Sequence, residues 1–238
     1  MNESIIKITN DLWAIKDTTT TEEVFWYVLK GSKKTLVFDT GIGITPILPI
    51  VRQLSDQPII TILSHAHFDH VGGAHEFSDV FAWDHDEMRS VSMNGVSNNV
   101  IRTYVGEDFW EHAPYNLAVQ PFPNANYLNH TSSIDLGNYH LDVIHTPGHC
   151  PSSICLYEKT RGWLFTGDTV YEGPIYLHLP ESNRRDYSKS IDTLLSLQPR
   201  KIFPGHNSTN IESSVLTDIR HLLDGQQKTN AHPMLTIL

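Results

Sequence analysis

The sequence predicts an α/β fold in which two mixed β-sheets pack face to face and helices cover their outer faces. Three observations predict it. Short β-branched and aromatic runs bounded by turn residues recur in both halves of the chain. An apolar strand-like run at Ile59–Leu63 passes through a glycine-bearing loop into a segment of helical character, the arrangement that brings ligands to the carboxyl ends of strands. Finally, Leu36-Val37-Phe38-Asp39-Thr40-Gly41 is echoed by Leu164-Phe165-Thr166-Gly167-Asp168-Thr169, as two related β-then-α halves would require.

The elements follow in order. Strands are expected at Ile5–Ile8, Leu12–Ile15, Val24–Leu29 and, across a Lys30–Lys34 turn, Thr35–Phe38. Ile47, Ile50, Val51 and Leu54 share one face of a helix over Thr45–Ser55. After the Ile59–Leu63 strand, Gly72-Gly73 marks a tight turn and Ala74–Phe77 starts a helix. Residues 86–135 are irregular and rich in aromatic and Pro/Asn positions. They read as a helical and loop insertion near the site, capping a sheet edge and lining a substrate. Strands return at His140–Ile144, Ser153–Tyr157, Trp163–Phe165 and Lys201–Pro204, with helices at Tyr187–Leu197 and Ile211–Leu223.

A 238-residue chain of ordinary globular composition is compatible with a single domain over residues 1–238. Its net charge is −10, and no basic stripe is present, which argues against nucleic acid as a partner. Two cysteines suggest no disulfide framework. No apolar run approaches the ~20 residues of a membrane helix. The expectation is a cytoplasmic protein, not membrane-bound, acting on a small molecule, with a homodimer compatible.

Histidine is the outlier, at 14 residues. Three of them crowd with an aspartate into Ser64-His65-Ala66-His67-Phe68-Asp69-His70, directly after an apolar strand. Such groups are costly to bury unless paired or bound to metal. His65 and His67 alternate along an extended segment and so share a direction, whereas Asp69 and His70 follow as the chain turns. Further donors each follow a strand and a glycine, in Thr146-Pro147-Gly148-His149, Thr166-Gly167-Asp168 and Phe203-Pro204-Gly205-His206. Seven ligands exceed one tetrahedral zinc and suit two ions with a carboxylate between them.

With His65, His67, Asp69 and His70 in an H-x-H-x-D-H pattern, His149, Asp168 and His206 in order, and Asp39-Thr40-Gly41 upstream, the chain resembles the metallo-β-lactamase superfamily from about Trp26 to His206. The resemblance implies a four-layer αβ/βα sandwich with a binuclear site at one edge. It implies one metal on His65, His67 and His149, the other on Asp69, His70 and His206, Asp168 bridging, and Asp39 behind the ligands. Two Zn²⁺ are the implied cofactors, with Fe or Mn as alternatives in either position.

The full ligand set looks like the hydrolase branch that contains glyoxalase II, acyl-thioesterases and acyl-homoserine lactonases. True zinc β-lactamases commonly carry Cys at the place of Asp168 and lack His70. The implied reaction is attack of an activated hydroxide on a thioester, ester or lactone carbonyl. Asp69 is the candidate proton relay. Tyr171, in an Asp-x-x-Tyr spacing seen in lactonase-like members, is the candidate oxyanion donor. Gly167–Gly173 and the following Leu179–Tyr187 segment look most like acyl-thioesterase members, and His178, Arg184 and Arg185 are candidates to meet an anionic substrate tail. A mononuclear iron persulfide dioxygenase, and phosphodiester or β-lactam hydrolysis on the same fold, are the alternatives. His145 and the remaining histidines are expected to be structural.

Overall fold

The computed structural model describes residues 3–17, 23–226 and 232–238. Seven strands form a first sheet in sequence order: β1 (Glu3–Lys7), β2 (Leu12–Asp17), β3 (Val24–Lys30), β4 (Thr35–Phe38), β5 (Ile59–Ile62), β6 (Val80–Trp83) and β7 (Asn126–Leu128). The β1–β4 meander is antiparallel, and β4 to β7 run parallel. A second sheet has the order β14-β13-β11-β10-β9-β8, from β8 (Ser133–Asp135), β9 (His140–His145), β10 (Ile154–Glu158), β11 (Trp163–Gly167), β13 (Lys201–Pro204) and β14 (Ile211–Glu212). A small parallel pair joins β12 (Pro174–Ile175) to β15 (Thr236–Ile237).

Period-two alternation decides what each strand contributes. Along β3, Phe25, Tyr27 and Leu29 join the layer between the sheets with Phe38, Ile62, Val143, Leu156, Phe165 and Phe203. Trp26 and Val28 face outward, against Ile47, Ile50 and Val51 of α1 (Leu48–Leu54) and its approach. Buried on both faces, β3 reads as a continuous apolar run. Edge-to-face packing of Tyr27 on Phe165 at 5.5 Å, and a Tyr27 hydroxyl donated to the Pro204 carbonyl at 2.6 Å, join the two sheets. Short helices α3 (Asp86–Asn94), α4 (Asn98–Tyr104) and α5 (Glu107–Trp110) cover Val80 and Ala82 of the first sheet through Met88, Ile101 and Phe109. On the second sheet, α6 (Arg184–Ser196) and α7 (Ser214–Leu223) pack Tyr187, Ile191, Val215 and Ile219 against Tyr157, Leu164 and Ile202. Helix, sheet, sheet, helix is the four-layer order expected.

Several boundaries differ from expectation. The residues after Gly73 form only a three-residue 3₁₀ turn at Ala74–Glu76; the helical turn lies on the histidine motif itself, as α2 (Phe68–Val71). Residues 86–135 are not helix and loop throughout, because their last part supplies β7 and β8, an edge strand for each sheet. Helix α1 begins at Leu48 rather than Thr45, since the Glu76 carboxylate accepts from the Ile47 and Leu48 amides and so sets its start. Helix α6 begins at Arg184, where Asn183 Oδ1 accepts from the Arg185 and Asp186 amides. Ile211 lies in β14 and not in the helix that follows.

Candidate active site

Strand direction assembles the site. β4 and β5 are parallel, so Asp39 and the Ser64–His70 segment leave the first sheet at one edge. β9 and β11 are both antiparallel to β10, and β13 is parallel to β11, so His149, Asp168 and His206 all follow strand ends at one edge of the second sheet. Backbone bonds join the two edges: the Ile154 amide donates to the Ser64 carbonyl at 2.8 Å, and the Phe25 amide to the Gly205 carbonyl at 2.7 Å. Gly205 has to lack a side chain, because a Cβ there would lie 2.7 Å from His70 Cε1 and 2.8 Å from Asp168 Oδ1. Gly148 combines a φ of +146° with a Cβ position 2.3 Å from Tyr187 Cα, which admits only glycine.

The seven expected ligands converge. Donor atoms of His65, His67, His149 and Asp168 lie within 4.8 Å of one another, and so do those of Asp69, His70 and His206. Asp168 sits between the groups. Its Oδ2 is 3.6 Å from His149 Nε2 and 3.3 Å from His206 Nε2, and its Oδ1 is 3.0 Å from His70 Nε2. Asp69 Oδ2 is 3.4 Å from His206 Nε2 and 3.7 Å from His70 Nε2.

This donor set fits a pair of divalent cations. His65 Nε2 is buried without a hydrogen-bond partner, an orphaned ring nitrogen that a bound cation would satisfy. His67 Nδ1 faces His149 Nε2 at 3.0 Å, and His70 Nε2 faces His206 Nε2 at 3.4 Å. Ring nitrogens turned toward one another are what a shared cation resolves.

The two groups differ in charge. Burial, then His67, lowers His149 to about 4, and burial with His70 and His67 lowers His65 well below the usual histidine range. These rings are neutral and ready to ligate. Burial opposes charge on His206 and His70 as well. It is overruled at His206 by Asp168 and Asp69, which raise it to about 10, and at His70 by Asp168, Asp69 and Asp39. Asp168 and Asp69 answer in kind: burial would raise them, but His206 and His70 hold both below the usual carboxylate range.

Asp39 lies behind both groups. Its Oδ2 accepts from His70 Nδ1 at 2.8 Å and from Ser64 Oγ at 2.7 Å, and Ser64 Oγ is 2.8 Å from His65 Nδ1. Asp39 itself is buried at a φ of +64°, a left-handed conformation uncommon outside glycine.

Tyr171 is not brought to the cluster by its hydroxyl. That group donates to the Pro174 carbonyl at 2.5 Å, while the buried ring lies 5.6 Å from that of His206. Arg184 and Arg185 are exposed at the start of α6, whereas His178 lines the cleft above the cluster. His145 stacks on Trp83 at 4.2 Å, away from both ligand groups.

Reading the sequence missed three residues that surround the ligand cluster. Tyr176 accepts from His149 Nδ1 through its carbonyl at 3.0 Å, Glu181 Oε1 lies 3.0 Å from His67 Nε2, and the Tyr104 hydroxyl reaches Glu181 at 3.4 Å. Cys150 lies near His67 and Glu87, but burial, then Glu87, pushes its thiol up to about 12. It therefore stays protonated near neutral pH in the metal-free protein. The cleft holds about 170 Å³ and is walled by Phe68, Tyr104, Val105, Tyr176, His178 and Leu179 over the His/Asp floor. Among the described residues no helix is long and apolar enough to cross a membrane.

Comparison with known proteins agrees with this geometry. The chain is 31% identical over 208 residues to the human acyl-coenzyme A thioesterase MBLAC2, covering 77% of this chain and 72% of that one. It is 26% identical over 204 residues to the probable metallo-hydrolase YqgX of Bacillus subtilis, covering 81% and 87%. A metallo-beta-lactamase superfamily protein from Sulfolobus tokodaii, ST1585, superposes with a TM-score of 0.66 at 19% identity over 88% of this chain and 84% of that one. A metallo-beta-lactamase from Pontibacter korlensis gives 0.66 at 16% identity over 94% and 100%. Likeness to a thioesterase and to a metallo-hydrolase supports an enzyme of hydrolase type. With the family model for the metallo-beta-lactamase superfamily matching residues 19–206, on a four-layer fold and a clustered His/Asp site, the chain belongs to that superfamily.

Proposed function

We propose that this chain is a zinc-dependent hydrolase that cleaves an ester-type carbonyl bond of a small molecule, with thioesters as the first substrate class. The observation that carries the proposal is the division of seven clustered donors into two groups that share Asp168 at the floor of one cleft. Two divalent ions held there would supply a water whose pKa is lowered toward ~7 and a Lewis acid for the carbonyl. His65, His67 and His149 would hold one, Asp69, His70 and His206 the other, with Asp168 lying between the two groups. Asp69 is only partly buried and faces the cleft, which suits it to take a proton from the nucleophilic water and pass it to the leaving group. Phe68, Val105 and Leu179 offer an apolar wall to the acyl part, and Tyr104, Tyr176 and His178 offer polar tips at the opening. Thioesters rank before plain esters and lactones because of the likeness to acyl-coenzyme A thioesterases.

The test is metal analysis of the purified full chain, followed by hydrolysis assays on thioesters, lactones, phosphodiesters and β-lactams. Two zinc ions per chain with preferred thioester turnover is the expected result. His67→Ala is expected to keep the fold and lose turnover. One iron per chain with oxygen uptake on a thiol persulfide, or unchanged activity in His67→Ala, would overturn the proposal.

A further inference from the structure

Each inward-facing histidine needs a partner on its other nitrogen to fix its tautomer and the direction of its lone pair. Ser64 serves His65, Asp39 serves His70 and the Tyr176 carbonyl serves His149. Those three rings are also held by packing, with side chains 0–2% exposed. His67 is more open than those three, its side chain 11% exposed on the cleft floor, as is that of His206. His67 Nε2 lies 3.0 Å from Glu181 Oε1, while its Nδ1 faces His149 Nε2 at 3.0 Å. Glu181 is carried by the 176–183 loop, and its carboxylate also accepts the Tyr104 hydroxyl at 3.4 Å from α4 on the other side.

We infer that Glu181 is a positioning residue: by accepting the Nε2–H of His67, it holds that ring with the Nδ1 lone pair turned toward the ion shared with His65 and His149. A histidine ring has nearly the same shape in its two flips, so a polar partner on one nitrogen is what tells them apart. A carboxylate on one nitrogen does so, because only the Nε2–H tautomer satisfies it. Tyr104 keeps the carboxylate in place from the far wall. The inference rests on the two-ion reading of the site and adds the group that makes one half of it competent.

The test uses the full-length chain and zinc alone, with affinity read by competition against a chromophoric chelator and fold stability read on the metal-free protein. Glu181→Ala is expected to weaken one of the two zinc ions by about 10- to 100-fold, leaving the other ion and the metal-free Tm unchanged. Glu181→Gln keeps an oxygen acceptor and is expected to restore most of that loss. Equal zinc affinity in Glu181→Ala and wild type would overturn the inference. So would equal weakening of both ions, or a lower metal-free Tm with wild-type zinc affinity, since either marks a merely structural contact. Wild-type protein that takes up fewer than two zinc ions would overturn the underlying two-ion reading instead.

Discussion

At the scale of single residues, Asp39 couples the two halves of the site. One carboxylate holds His70 directly and His65 through Ser64, so it touches one ligand of each group. Asp39→Asn keeps the size and an acceptor oxygen but removes the charge that favours a cationic or metal-bound His70. Zinc affinity is expected to fall about 10- to 100-fold, with the larger loss at the Asp69/His70/His206 position, measured by chelator competition. Asp39→Ala adds the cost of a left-handed backbone without a locally bonding side chain, of order 1–2 kcal/mol, and is expected to lower the metal-free Tm as well. The seven ligands were legible in the sequence, because four are packed in one local pattern and three sit in repeated strand-then-glycine settings, whereas Asp39 was legible only through the family resemblance. Glu181 and Tyr104 were not legible. Glu181 meets His67 across 114 positions, and Tyr104 meets Glu181 across 77, with no local periodicity to announce either contact.

At the scale of elements, the long buried strands were readable and the short edge strands were not. β3 and β4 are buried on both faces. β7 and β8 are three residues long and β14 two, too brief for alternation to show. One such brief element bears on the site. β15 pairs with β12, the Leu238 amide donates to the Ile175 carbonyl, and the Leu177 amide donates to the Leu238 carbonyl, which brackets Tyr176. His232 clamps the same region, with Nδ1 2.6 Å from Glu172 Oε1 and Nε2 2.9 Å from Ser214 Oγ. The C-terminal strand thus holds the carbonyl that orients His149. Removing residues 236–238 is expected to lower zinc retention more than it lowers Tm, compared by metal analysis and thermal unfolding of the same samples. His232→Ala is expected to cost about 1 kcal/mol of stability per hydrogen bond lost, read by denaturant unfolding.

At the scale of the whole molecule, the two packed sheets together build two ligand groups that differ in charge at a common edge, and the consequence is pH-dependent filling. In the metal-free protein, His149 is lowered to about 4 and His65 is also depressed, so both are neutral near neutral pH. His70 and His206 are raised, His206 to about 10, so both carry protons there. A cation entering the first group displaces no proton from His65 or His149, whereas one entering the second must displace those on His70 and His206. The sign follows directly: for each such proton, affinity falls about tenfold per unit as pH drops below the raised pKa, and the second group is emptied first. Zinc content is therefore expected to fall from two ions toward one as pH is lowered from about 8 to 6, with activity lost in parallel and the first ion kept. Calorimetry of zinc binding at pH 7 in buffers of different ionisation enthalpy is expected to show release of about two protons, assigned to the second ion. His206→Ala should remove one of them. Zinc uptake that releases no protons, or two ions that leave together on acidification, would mean that the two groups do not differ in charge as the carboxylates around His70 and His206 require.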